Sequence, residues 1–126
     1  MLFRSGNAGK IAFVYPGGYN SYVGVGRDLF QLFPGVYEEV SRCSSRLGRM
    51  LGEGLVYPRG LEKPSGKDVN SRERALLDSP ITMFESGILF SIAYTKVVRD
   101  CFLVEPQMAI GYSMGEVSMM YALGVW

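Results

Sequence analysis

Histidine is absent from these 126 residues. That gap removes the usual general base for a serine nucleophile and the commonest metal ligand. No cluster of acids or thiols replaces it, so no metal site is expected. Cysteine occurs twice, at Cys43 and Cys101, without C-x-x-C spacing; this points to a buried, reduced pair in a cytoplasmic protein rather than a disulfide or zinc framework. An excess of one charge is missing too. Thirteen Lys and Arg oppose twelve Asp and Glu, a net charge of +1, so nothing in the balance recruits nucleic acid or an anionic membrane. No uninterrupted apolar run reaches the ~18 residues of a membrane-crossing helix. The start, Met1-Leu2-Phe3-Arg4-Ser5-Gly6, lacks the sustained apolar segment of a secretory signal. Residues 1–9 read as a leader or domain edge.

What is present is a globular composition, 48% hydrophobic and 20% charged, long enough for one domain with a core. Lys10 to Tyr15 is a mostly apolar run ended by Pro16-Gly17-Gly18, which suits a central parallel strand buried on both faces. A polar, glycine-punctuated loop follows to Gly26. Arg27 to Phe33 reads as a short helix stopped by Pro34-Gly35. Val36 to Leu51 has helical spacing at Val36, Val40, Cys43, Leu47 and Leu51. Val56 to Arg74, broken by Pro58, Gly60 and Pro64-Ser65-Gly66 and rich in charge, reads as a surface excursion, with Lys63, Lys67, Arg72 and Arg74 as a solvated face. Ser79-Pro80 then opens the longest apolar segment, through Phe84, Leu89 and Val97, a buried helix of about 20 residues with Pro at its first position.

The chemistry-bearing stretch is Gly111-Tyr112-Ser113-Met114-Gly115, followed by Glu116. A short apolar run, Met108-Ala109-Ile110, precedes it, with Pro106 as a start signal. A segment without proline and with Val117, Met119, Met120, Tyr121 and Leu123 follows it. Strand, sharp turn, helix is the setting a G-x-S-x-G nucleophile elbow requires. Glycine is needed on both sides of the serine because a side chain there would strike the neighbouring strand or helix. On this reading Ser113 is an acyl-accepting nucleophile at a helix N-terminus, and Glu116 is a first-turn acid favoured by the helix dipole. Asn20 and Tyr22 read as loop-fixing residues, and Met83, Met114, Met119 and Met120 as core or pocket filler. The order of elements is α/β with a parallel sheet. Only two strands are visible, too few for a stable buried parallel sheet, so the remaining strands are expected from chain outside these residues.

Phe13-Val14-Tyr15-Pro16-Gly17-Gly18 and Gly111-Tyr112-Ser113-Met114-Gly115-Glu116, taken together, resemble the acyltransferase domain of fatty acid and polyketide synthases. These are the malonyl-CoA:acyl-carrier-protein transacylases. In that family a strand ending F-x-F-P-G-Q-G-S-Q leads to G-M-G-x-x-L, which Gly24-Val25-Gly26-Arg27-Asp28-Leu29-Phe30 matches. The likeness covers about residues 10–124. It departs at Gly18-Tyr19-Asn20-Ser21, where the family has Q-G-S-Q, and at Tyr112, where it has histidine. Those departures look most like the acyltransferase-like domains of polyunsaturated fatty acid synthases.

The resemblance implies an incomplete α/β-hydrolase-like sheet with flanking helices, the first part of an acyltransferase domain over residues 10–126. It implies that Ser113 takes an acyl group of malonyl type from acyl-CoA and passes it to the phosphopantetheine thiol of an acyl carrier protein. The backbone N–H groups of Gly18 and Met114 would be the oxyanion donors. Tyr112, Tyr19 and Ser79 would be substrate-binding positions, Ser79 by matching a family pocket glutamine. The histidine base and the carboxylate-pairing arginine of the family would lie beyond Trp126. No cofactor is expected on the chain itself; its partners would be the carrier protein, acyl-CoA and the remainder of the domain and synthase. A serine α/β-hydrolase and a non-catalytic docking or structural domain stand as alternatives. The isolated chain is expected to be inactive for want of a base.

Overall fold

The computed structural model describes residues 9–43 and 65–125. Among them, β1 (Ala12–Tyr15) and β2 (Met108–Gly111) pair in parallel, with Ala12 opposite Met108 and Tyr15 opposite Gly111. Between the strands in sequence lie α1 (Leu29–Leu32), α2 (Pro34–Cys43), α3 (Gly66–Leu77), α4 (Pro80–Lys96) and a π-helical turn, Val97–Cys101. The last helix, α5 (Gly115–Ala122), follows β2 directly. The architecture is mixed α/β, a short parallel pair of strands with flanking helices. Parallel strands need a long crossover, and the helices from α1 to α4 lie within it.

The core is organised around α4. Met83, Leu89, Phe90 and Ala93 pack with Val25, Leu29, Val36, Val40, Leu76 and Val97 in one buried cluster. Hydroxyl groups then join α4 to its neighbours. The Tyr15 hydroxyl pairs with Thr95 Oγ1 at 2.7 Å, and Ser86 Oγ donates to Ser21 Oγ at 2.7 Å. Buried hydroxyls need such partners, so each pair fixes a register between helix and strand or loop. At the other end, Lys96 pairs with Glu39 of α2 and with Asp100 at 3.3 Å. Burial opposes the charge on Lys96, but hydrogen bonds to Glu39, Tyr121 and Asp100 outweigh it and raise its pKa above the ordinary lysine value.

Several sequence expectations change. Val56–Arg74 is not all surface excursion: α3 begins at Gly66, so residues 66–74 are helical, while 56–64 lie outside the described residues. Pro64-Ser65-Gly66, read as a breaker, is a start. Ser65 caps the helix, its Oγ accepting the Asp68 amide while the Asp68 carboxylate accepts the Ser65 amide. Pro34-Gly35, read as a stop, likewise opens α2, because proline suits a first helical position. The expected helix over residues 36–51 is described only to Cys43, and Leu47 and Leu51 lie outside the described residues.

The strands are not buried on both faces. Phe13 and Tyr15 turn toward the helices, whereas Val14 and its register partner Ile110 are 72% and 56% exposed. Strand side chains alternate, so one face of the sheet is covered and the other is bare. Cys101 is exposed, not one of a buried pair, and the Cys43 side chain lies outside the described residues. Helix α4 with its π-helical turn, Pro80–Cys101, runs for 22 residues and contains an 18-residue window of mean hydropathy 1.3, long and apolar enough by length and composition to cross a bilayer. No uninterrupted run signalled it, because Glu85 and hydroxyl residues punctuate the segment. Met83, Leu89, Phe90, Ala93 and Val97 of this segment lie in the core just described, while Ile81 and Tyr94 are exposed.

Candidate functional site

Ser113 follows the end of β2 with φ = +53°, the left-handed region that costs an L-residue about 1–2 kcal/mol. It is exposed. The two glycines around it are explained by space. A Cβ on Gly111 would stand 2.5 Å from the Gly115 carbonyl oxygen and 2.6 Å from the Glu116 backbone. A Cβ on Gly115 would stand 2.5 Å from the carbonyl oxygens of both Tyr15 and Pro16. The strand end and the first turn of α5 are therefore packed backbone to backbone. Such strain persists only where the surroundings over-determine it, and it is what a nucleophile elbow uses to lift its serine out of the turn.

The same packing brings the loop after β1 to the elbow. The Tyr112 amide donates to the Tyr15 carbonyl at 3.2 Å, extending the strand pairing to the residue before the serine. Beyond Tyr15 the chain enters Pro16-Gly17-Gly18. Gly18 and Met114 line one small gap of about 10 Å³, together with residues of α4 and α5. Among the described residues, neither the Gly18 nor the Met114 amide donates a hydrogen bond. The next two amides do: Gly115 donates to the Tyr112 carbonyl at 2.8 Å and Glu116 to the Ser113 carbonyl at 3.0 Å. Free amides at a helix start are donors available to developing negative charge.

Of the three proposed substrate-binding positions, two lie on this surface. Tyr112 is 77% exposed, and its ring lies over Gly17, where a Cβ would be 2.9 Å from Tyr112 Cδ1. Tyr19, at φ = +62° and 60% exposed, is edge-on to Phe84 with ring centroids 5.3 Å apart. Ser79 is not brought to the gap between Gly18 and Met114. It opens α4, half-buried, and donates to Thr82 Oγ1 at 2.8 Å within its own turn. Glu116 is an exposed acid in the first turn of α5.

One residue that sequence reasoning passed over stands close by. Phe84 was one apolar position among many on α4, yet its ring occupies the place of a side chain at Gly18. Adjacent glycines after a strand signal a close approach, but not which ring makes it. Asn20, read as a loop-fixing residue, meets α4 at Gly87, where its Oδ1 takes the space a Cβ would need.

A larger cleft, about 440 Å³, lies beside β1 and adjoins the gap between Gly18 and Met114 at Pro16, Asn20, Gly87 and Ser91; Phe13, Tyr15, Tyr22, Phe90, Tyr94 and Thr95 also line it. None of Ser113, Met114, Gly18 or Tyr112 lines it. Burial raises the pKa of Tyr15 there, opposed in part by the hydrogen bond with Thr95, and burial likewise raises that of Tyr94. None of the hydroxyl residues that line the cleft has the left-handed backbone found at Ser113, so the elbow is the better candidate for chemistry. Among the described residues, no three His, Cys, Asp or Glu side chains gather where they could hold a metal ion.

No protein-family model matches the sequence, and no solved structure matches it. Curated proteins do. The chain is 30% identical over 113 residues to one subunit of a polyunsaturated fatty acid synthase of Thraustochytrium sp., a match covering 90% of this chain and 5% of that protein. It is 28% identical over 121 residues to the polyketide synthase GfsA of Streptomyces halstedii, covering 93% of this chain and 2% of the relative. It is 30% identical over 123 residues to the phenolphthiocerol synthesis polyketide synthase type I Pks15/1 of Mycobacterium marinum, covering 97% and 5%. The chain thus spans 5% or less of the length of these relatives while matching them along nine tenths or more of its own.

Proposed function

We propose that this chain carries the nucleophile and oxyanion donors of an acyltransferase acting within lipid or polyketide synthesis. Its similarity to fatty acid and polyketide synthases supports the synthase setting. The observation that carries the chemistry is Ser113 at φ = +53° between β2 and α5, with the Gly17-Gly18 loop held beside it.

In this reading Ser113 Oγ attacks the carbonyl carbon of an acyl-CoA thioester. The C–O bond forms, the carbonyl oxygen takes the negative charge, and the Gly18 and Met114 amides stabilise it. Each such donor is typically worth ~3 kcal/mol in the transition state. Collapse of the intermediate breaks the C–S bond, and the coenzyme leaves as a thiol carrying the proton lost by the serine. The acyl-serine ester is then attacked by the phosphopantetheine thiol of a carrier protein, which takes the acyl group and returns the proton to Ser113. A neutral hydroxyl needs a base for this. With no histidine in the chain, the base in this reading comes from outside these residues, and residues 1–126 alone turn over negligibly.

The test is direct. The complete protein carrying this segment is incubated with malonyl-CoA, and any acyl ester is located by intact and peptide mass spectrometry. An ester on Ser113 that a carrier thiol discharges faster than water does is the expected result. No ester, or hydrolysis at one rate with and without carrier, rejects acyl transfer; the second outcome points to a thioesterase.

A further inference from the structure

The two adjacent glycines after β1 each meet an aromatic ring where a side chain would stand: Tyr112 at Gly17 and Phe84 at Gly18. Gly18 is not in the left-handed region, unlike Gly24 and Gly26 in the same loop. Backbone conformation therefore does not demand glycine at position 18, whereas the space taken by the Phe84 ring does. Positions 18 and 84 share one volume, filled from the helix side.

Filling it from that side has a consequence for the loop. Glycine has the widest conformational freedom of any residue, so two in succession have no side chain to fix the peptide between them. The surroundings must do it. Helix α4 meets this loop at several places, among them Phe84 against Gly18 and Tyr19, Ser86 hydrogen-bonded to Ser21, Gly87 against Asn20, and Phe90 against Gly26. Ser86 and Gly87 are buried, and the neighbouring Met83 belongs to the central core. The loop rests on the helix that supplies Met83, Leu89, Phe90 and Ala93 to the core.

We propose that Phe84 is a positioning residue, whose ring holds the Gly18 peptide so that its N–H is aimed at the acyl oxygen on Ser113. The proposal rests on the acyltransferase reading. An oxyanion donor acts only within about 2.7–3.1 Å of the charge it stabilises. A Gly18 peptide released from its ring loses rate without losing substrate.

The experiment uses Phe84→Ala, the bulk-retaining Phe84→Leu, Gly18→Ala and the double variant Gly18→Ala with Phe84→Ala, each in the complete protein. Rapid-quench mass spectrometry gives the rate of Ser113 acylation against malonyl-CoA concentration. Phe84→Ala is expected to lower the saturated rate on the order of tenfold or more while KM stays near the parent value. Phe84→Leu restores most of that loss. Gly18→Ala is damaging alone, and the double variant recovers rate relative to it because the methyl group enters the vacated space. Unchanged kinetics for Phe84→Ala, a loss confined to KM, or a double variant no faster than Gly18→Ala overturns the proposal. Should Phe84→Ala fail to fold, Phe84→Leu against the double variant decides it by the same criteria. Absence of an ester on the parent protein overturns the acyltransferase reading and this proposal with it. An ester on the parent with indifferent Phe84 variants overturns the proposal alone.

Discussion

Gly115 lies flush against the carbonyl oxygen of Tyr15, with room for nothing larger than hydrogen: a Cβ there would be 2.5 Å from that atom. This contact fastens the first turn of α5 to the end of β1, and so fixes the distance between the serine elbow and the glycine loop. Gly115→Ala sets a methyl group against the carbonyl oxygens of Tyr15 and Pro16, and the first of these cannot move without disturbing its bond from the Tyr112 amide beside the strand pair. We expect a loss of about 1–3 kcal/mol. Gly35, in α2, meets nothing within 4 Å of its would-be Cβ. Gly35→Ala should stabilise by about 0.4–1 kcal/mol. Urea midpoints of the two variants should shift in opposite directions; a shift of the same sign for both would remove the steric account of the elbow.

Ser113 pays a backbone cost at φ = +53° that glycine would not. Ser113→Gly should therefore raise stability by ~1 kcal/mol after allowance for the freer unfolded chain. Ser113→Ala keeps the left-handed strain and should stay close to the parent. Neither variant can form an ester. Thermal melts that rank Gly above both Ser and Ala would mark the serine as kept for its hydroxyl at the expense of stability. Equal melting temperatures for Gly and Ala would mean that the elbow is not strained.

The strand, tight turn and helix around Ser113 were legible in the sequence because their requirements are local. Gly111 and Gly115 are set by a strand end and a helix start only a few residues away, and the G-x-S-x-G spacing records both. The start of α5 and the run of α4 from Pro80 were legible for the same reason. The covered and bare faces of β1 were not. Val14 and Tyr15 are both apolar in character, and which one meets a helix depends on α4, far away in sequence. Helix α3 was missed although its Ser65–Asp68 cap is local, because proline and glycine on either side of Ser65 were weighed as breakers. The Gly18–Phe84 pairing was out of reach altogether: it joins a loop to one turn of a helix that is apolar at many positions.

The α3 cap carries a pH dependence. A hydrogen bond from the Ser65 hydroxyl, 2.6 Å from Asp68 Oδ2, is the main cause that lowers the Asp68 pKa below its ordinary 3.8, followed by the Ser65 amide at 3.2 Å. A depressed carboxylate contributes stability that is complete above the unfolded value and is lost as pH falls through the lower folded one. The first turn of α3 should fray on acidification below 3.8. Amide exchange at Val69 and Asn70 should speed up there relative to the middle of α4. Asp68→Asn should show fast exchange already at neutral pH and little further change with acid. A parent protein whose α3 exchange ignores acid would exclude the carboxylate as the cap.

The Tyr15–Thr95 pair makes the opposite pH prediction at the alkaline end. Burial raises the Tyr15 pKa above its ordinary 10.0, with the Thr95 hydrogen bond opposing, because a buried phenolate loses more hydration than the bond returns. A group raised in the fold contributes stability that is whole below 10.0 and is lost as pH rises through the folded value. Tyr15→Phe removes the 2.7 Å bond but leaves Thr95 donating to the Ser91 carbonyl at 2.7 Å, so no buried hydroxyl is stranded. The variant should be about 1 kcal/mol less stable at neutral pH. The gap should then narrow above pH 10, since phenylalanine has no proton to lose. Urea midpoints at the two pH values measure it. A gap that stays constant or widens with pH would mean that Tyr15 does not resist ionisation, and that its tie to α4 is not what anchors β1 beneath the elbow.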